Sequence, residues 1–185
     1  MNVVPASVAS FLVACTMLLV LRPLAEVVGL VDKPGGRKTH HGEVPVIGGI
    51  AMFAGLWVAA INGSGLNEGG ISILLVAAFM VVLGALDDRF DLPPRVRLFA
   101  HLSASVALVY STGFVVPYLG SLLGGAELSL GFAALPFTVV AIIALINAFN
   151  MLDGLDGLAG TVGLVALAGG MYVASVGGVD EIVRP

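Results

Sequence analysis

The sequence predicts an all-α fold: a polytopic integral membrane bundle of about six transmembrane helices in one domain over residues 1–185. Three observations carry this. Apolar residues make up 58% of the chain and charged residues only 11%, where a soluble domain carries roughly a quarter. The mean hydropathy is +1.07. Charge-free runs cover 2–21, 44–67, 69–86, 98–126, 128–152 and 157–179, each near or above the roughly 18 residues that cross a hydrocarbon core as a helix.

Taken in order, these runs place helices at 3–30, 46–62, 70–88, 98–116, 130–150 and 158–178. The first reads as a retained helix rather than a cleaved leader, because no Lys or Arg precedes Arg22. The single Cys15 lies inside it and forms no internal disulfide. Gly48, Gly49 and Gly55 in the second helix favour close helix–helix approach. Gly63, Gly65, Gly69, Gly70, Gly120, Gly124 and Gly125 fall in the short turns after the second and fourth helices.

The loops set the orientation. Arg22 lies toward the inner end of the first helix, Lys33, Arg37 and Lys38 follow it, and Arg89, Arg95 and Arg97 follow the third. Seven of the eight basic residues therefore lie on one side, the exception being Arg184. The positive-inside bias makes that side cytoplasmic and puts the N-terminus outside. Glu68, Glu127, Asp180 and Glu181 fall on the other side as solvated charges.

Three polar clusters gather at the cytoplasmic edge. Asp87-Asp88-Arg89-Phe90-Asp91 ends the third helix. A helix running to residue 91 puts Asp87 and Asp91 on one face, and Pro93-Pro94 then stops it. Crowded carboxylates repel unless a cation sits among them, and hard oxygen donors suit Mg²⁺. The competing reading is a solvated helix end paired with Arg89, Arg95 and Arg97. Acids at a C-terminal helix end oppose the helix dipole, which favours a functional role.

The second cluster is Asn147-Ala-Phe-Asn150-Met-Leu-Asp153-Gly-Leu-Asp156-Gly157, with polar groups at every third position. An amide as deep as Asn147 needs a partner, and Gly154 and Gly157 break the helix and let backbone approach a ligand. The spacing fails the EF-hand pattern. The third is Asp32-Lys33-Pro34-Gly35-Gly36-Arg37-Lys38-Thr39-His40-His41, followed by Val44-Pro45-Val46-Ile47-Gly48-Gly49. Its basic residues and rigid turns suit a phosphate ligand or, equally, a juxtamembrane topology signal. His101 reads as a hydrogen-bonded packing residue and takes no assigned role.

With these motifs the sequence resembles the polyprenyl-phosphate N-acetylhexosamine-1-phosphate transferases (glycosyltransferase family 4), nearest the WecA-like branch that moves N-acetylglucosamine 1-phosphate from UDP onto undecaprenyl phosphate. The resemblance covers nearly the whole chain. It rests on Asp32-Lys33-Pro34 through Arg37-Lys38-x-His40, then Pro45-x-x-Gly48-Gly49, then Asp87-Asp88-x-x-Asp91, then Asn147-x-x-Asn150-x-x-Asp153-Gly-Leu-Asp156-Gly-Leu. It implies catalytic roles for Asp87 and Asp88 at the lipid phosphate. It implies nucleotide-sugar contacts from Lys38, Asn147, Asn150, Asp153 and Asp156, and a Mg²⁺ site, with Mn²⁺ the alternative, at Asp88, Asn150 and Asp153. The implied partners are a UDP-N-acetylhexosamine, undecaprenyl phosphate and the bilayer, with a homodimer allowed and no nucleic acid. The implied location is the bacterial inner membrane, with the active site facing the cytoplasm.

The family usually places Gln where this chain has His101. Two later family motifs, a glycine-flanked Asp and a His-rich loop, are expected beyond Pro185, making this the N-terminal portion of a larger transferase. The implied reaction displaces UMP from the UDP-sugar by a phosphate oxygen, either in one step or through a covalent Asp intermediate. A muramoyl-pentapeptide transferase (MraY-like) is the alternative within the same chemistry. A transporter subunit is the alternative outside it, disfavoured because the acids sit at a membrane edge rather than the midplane. A purely structural membrane subunit would leave the three clusters without a purpose.

Overall fold

A computed structural model describes residues 3–32, 44–63, 66–120, 124–125, 127–152 and 157–177. In chain order its elements are α1 (Val3–Val28), β1 (Val31–Asp32), β2 (Val44–Pro45), α2 (Gly48–Asn62), α3 (Glu68–Phe90), α4 (Pro94–Thr112), a 3₁₀ turn (Gly131–Ala133), α5 (Ala134–Leu152) and α6 (Leu158–Gly177). The all-α membrane architecture expected from composition is the one observed. Four stretches among the described residues are long and apolar enough to span: Pro5–Val28, Glu68–Phe90, Gly131–Leu152 and Leu158–Val176.

The other two helices differ from the expected spans. With 15 residues, α2 rises only about 22 Å, short of a hydrocarbon core of roughly 30 Å. It starts at Gly48 rather than 46 because Val44 and Pro45 are taken up in antiparallel pairing with Asp32 and Val31. Helix α4 begins at Pro94 rather than 98, since Pro is preorganised for the first helical position and lacks only an N–H that would be unpaired there anyway. It closes at Gly113, whose φ of 70° is the left-handed conformation that ends a helix.

The chain divides into two compact units, Met1–Val140 and Ala141–Pro185. In the first, α1 packs on α2, α2 on α3, and α3 on α4. Small residues permit the close approaches: Ala25 and Ala51 are 1% exposed. At Gly55 a Cβ would stand 2.8 Å from the Ser10 carbonyl oxygen of α1. This is the close packing that the glycines of the second helix predict, realised at Gly55; Gly48 and Gly49 have open space where a Cβ would go. Between α4 and α5 the buried Thr138 hydroxyl holds the connecting chain: it accepts the Val116 N–H (2.9 Å) and donates to the Ala134 carbonyl (2.7 Å).

Large apolar side chains such as Leu19, Val27, Tyr110 and Leu164 are mostly exposed. In lipid that exposure carries no hydrophobic penalty, and helix association rests on close packing instead. In the second unit, the last turns of α5 lead to α6, which Gly157 opens with φ 74° while its carbonyl accepts both the N–H and the hydroxyl of Thr161. Gly157 thus interrupts the helix as expected; Gly154 lies outside the described residues.

Candidate active site

The acidic end of α3 is shaped by where the helix stops. Asn67 caps its N-terminus, accepting the Gly70 N–H at 2.7 Å, and the helix then runs to Phe90. Asp91 lies outside it at φ 47°, ψ 69°, the sole non-glycine residue with positive φ among the described residues. The helix therefore does not continue through Asp91, and Asp87 and Asp91 do not share a helical face. The reason is local. The turn to Pro93-Pro94 needs a left-handed residue, and Asp tolerates that conformation better than most.

Asp87 and Asp88 then part company. The Asp87 carboxylate accepts the Leu92 N–H (3.0 Å) and the Arg97 guanidinium (3.0 Å), bridging the end of α3 to the first turns of α4. Its backbone carbonyl also accepts the Asp91 N–H at 2.8 Å. Asp88 is exposed and lines a different space, a cleft of about 240 Å³ bounded by Val46, Gly49 and Ile50 of the α2 start and by Gly84 and Ala85 of α3. Successive helical residues point about 100° apart, so one turns to α4 and the other toward α2.

The basic loop is rooted beside this cleft. The β1–β2 pair and the Val46 N–H to Leu30 carbonyl bond (3.0 Å) join the two described stretches that flank residues 33–43, and β2 packs against α1. Strand β1 packs against α3, and the Arg89 guanidinium comes within 3.8 Å of where a Cβ on Gly29 would stand. Arg89 also lies over the Phe90 ring at 5.4 Å. Lys38 itself falls outside the described residues, but the roots of its loop and the Asp88 cleft share one end of the first unit.

The asparagine motif belongs to the second unit. Asn147 and Asn150 lie on the last turns of α5 and are exposed; Asn147 donates its amide to the Ile143 carbonyl at 2.9 Å, which supplies the partner it needed. Asp153 and Asp156 lie outside the described residues. His101, one turn past Arg97, keeps its Nδ1 buried with no hydrogen-bond partner among the described residues, so the hydrogen-bonded role read from sequence is not seen at that atom.

Among the described residues no three His, Cys, Asp or Glu side chains converge as a metal cage. The donor chemistry still fits Mg²⁺, which takes one or two protein carboxylates and shares its other positions with water and substrate phosphate. Asp88 presents such a hard oxygen donor at the cleft. Arg97 entered the sequence reading as one of three arginines that could pair with the acidic helix end, and the structure pairs it with Asp87. Its partner is ten residues away across a helix–turn–helix, and only the double proline hinted that the first turns of α4 fold back onto the end of α3.

Residues 70–183 match the family described as glycosyl transferase family 4. The chain belongs to that family. Among curated members, the undecaprenyl-phosphate alpha-N-acetylglucosaminyl 1-phosphate transferase of Yersinia pestis is 39% identical over 132 residues, covering 71% of this chain and 36% of the relative. That of Haemophilus influenzae is 39% identical over 133 residues, covering 71% and 37%. The probable undecaprenyl-phosphate N-acetylglucosaminyl 1-phosphate transferase of Bacillus subtilis is 34% identical over 146 residues, covering 73% and 39%. This member of the family thus spans less than two fifths of the length of these relatives. No solved structure matches it.

Proposed function

We propose that the protein transfers N-acetylglucosamine 1-phosphate from UDP-N-acetylglucosamine to undecaprenyl phosphate at the cytoplasmic face of the bacterial inner membrane, releasing UMP at the start of envelope glycan synthesis. One observation carries the reading. Asp88, the start of α2 and the roots of the basic loop meet at one end of the first unit, where a lipid phosphate and a soluble nucleotide can both arrive. The names of the relatives support the acceptor and the sugar.

Both reactants are anions, so catalysis rests mainly on positioning and charge neutralisation. Mg²⁺ would supply that neutralisation at the diphosphate, and Asp88, Asn150 and Asp153 are the residues that the family resemblance assigns to hold it. Asp88 holds its carboxylate at the cleft, and Lys38 with Asn147 and Asp156 orients the nucleotide sugar. Acids at a helix end, rather than at mid-span, speak against a transport pathway.

The test is Asp88→Asn in the intact protein, which keeps size and hydrogen bonding but removes the charge. Transfer from UDP-N-acetylglucosamine to undecaprenyl phosphate should fall roughly 10²- to 10⁴-fold while membrane insertion is unchanged. Near-normal turnover would remove Asp88 from the chemistry. Preference for the UDP-muramoyl pentapeptide as donor would instead move the protein to peptidoglycan synthesis.

A further inference from the structure

Asp87 and Asp88 are adjacent and chemically identical, yet the structure gives them different neighbours. Asp87 has both carboxylate oxygens engaged: Oδ1 accepts the Leu92 N–H and Oδ2 the Arg97 guanidinium, each at 3.0 Å. Its side chain is 22% exposed, against 33% for that of Arg97. A partly exposed ion pair adds little stability by itself, less than its geometry suggests. What this one has is reach. It ties the last turn of α3 to the first turns of α4 across a three-residue connection that contains a left-handed Asp91 and Pro93.

The strained residue is also held by Asp87, whose carbonyl accepts the Asp91 N–H. A left-handed non-glycine residue persists where its surroundings over-determine it. Here the surroundings are three bonds to a single side chain and backbone. With Asp87 turned to α4, the helical step of about 100° leaves Asp88 on the α2 side, where it lines the cleft with Gly49 and Ile50.

We propose that Asp87 is a positioning residue rather than a catalytic one, and that Arg97 is its partner. Together they clamp the α3–α4 turn and so fix the rotation of the last turn of α3, which presents Asp88 to the cleft. This rests on the transferase reading given above, and it assigns Arg97 a role in that reaction. A carboxylate held through another residue acts on turnover by geometry, and a displacement of about 1 Å at a reacting group costs up to about 10²-fold.

The test is a double-mutant cycle in the intact protein, with Asp87→Ala, Arg97→Ala and both together. Asp87→Asn and Arg97→Lys serve as conservative variants. Each alanine variant should lose turnover by about tenfold to 10²-fold, with KM for the UDP-sugar little changed. The double variant should be no worse than the poorer single one, since the two act as a unit. Arg97→Lys, which keeps the charge, should recover most of the loss.

Amide exchange of the 90–94 segment is read in parallel and does not depend on activity. Asp87→Ala should deprotect Leu92, while Asp87→Asn, which keeps an acceptor oxygen, should deprotect it less. Full turnover in Arg97→Ala with none in Asp87→Ala or Asp87→Asn would overturn the proposal and return Asp87 to direct substrate contact. Unchanged Leu92 exchange in Asp87→Ala would overturn it as well. A wild-type protein that transfers no sugar phosphate would refute the transferase reading instead, and the exchange result would still decide whether the clamp exists.

Discussion

Gly55→Ala should destabilise the protein although alanine is the better helix former. Gly55 is buried in α2 against α1. An added Cβ would stand 2.8 Å from the Ser10 carbonyl oxygen and 3.3 Å from the Ala14 Cβ, where ordinary contact begins at 3.4 Å. The obstructing atom is backbone, so no side chain can rotate away. Relief requires the helices to part by about 0.6 Å, and gaps of about 0.5–1 Å forfeit a quarter to a half of each dispersion contact along the seam. Overpacking of this kind costs about 1–3 kcal/mol, against about 1 kcal/mol gained from replacing glycine in a helix. The clash therefore wins, by up to about 2 kcal/mol. Unfolding in detergent by denaturant or heat measures it. Gly169→Ala in α6, with nothing within 4 Å of its added Cβ, is the control and should be neutral or stabilising. Equal stability of Gly55→Ala and Gly169→Ala would refute the close approach of α1 and α2.

Other outcomes follow from the same contacts. Asp91→Gly should be neutral or slightly stabilising and Asp91→Val should cost about 1–2 kcal/mol, because φ is 47° there; unfolding midpoints in detergent separate them. Thr138→Val keeps the volume but leaves the Val116 N–H without its acceptor, and should cost about 1–3 kcal/mol on the same scale. In a Cys15→Ser background, Gly124→Cys should react with an impermeant thiol reagent added to intact cells and Arg95→Cys should not; labelling of Arg95→Cys would invert the orientation. Chelation with EDTA should abolish transfer in isolated membranes and Mg²⁺ should restore it, whereas chelator-insensitive transfer would exclude the divalent ion.

Four of the six expected spans could be read without a structure because lipid makes one property dominant. A charge in the hydrocarbon core is costly at any rotation of a helix, so charge-free runs mark spans whatever packs beside them. The same logic gathered Asp87, Asp88, Asn147, Asn150, Asp153 and Asp156 near membrane edges, and the order of their motifs carried the family. Stops written in local chemistry were legible too, as with Pro93-Pro94 and Gly157. Tertiary structure alone decided how the clusters are used. That Asp87 binds Arg97 while Asp88 lines the cleft depends on the rotation of one helical turn against two different neighbours, and adjacent aspartates carry no mark of it. That α2 starts late depends on strand pairing across the 33–43 loop, a contact between segments no local pattern joins. Solvent preference is a property of each residue and accumulates along the chain, whereas a side chain's partner is fixed by backbone geometry brought together from distant positions.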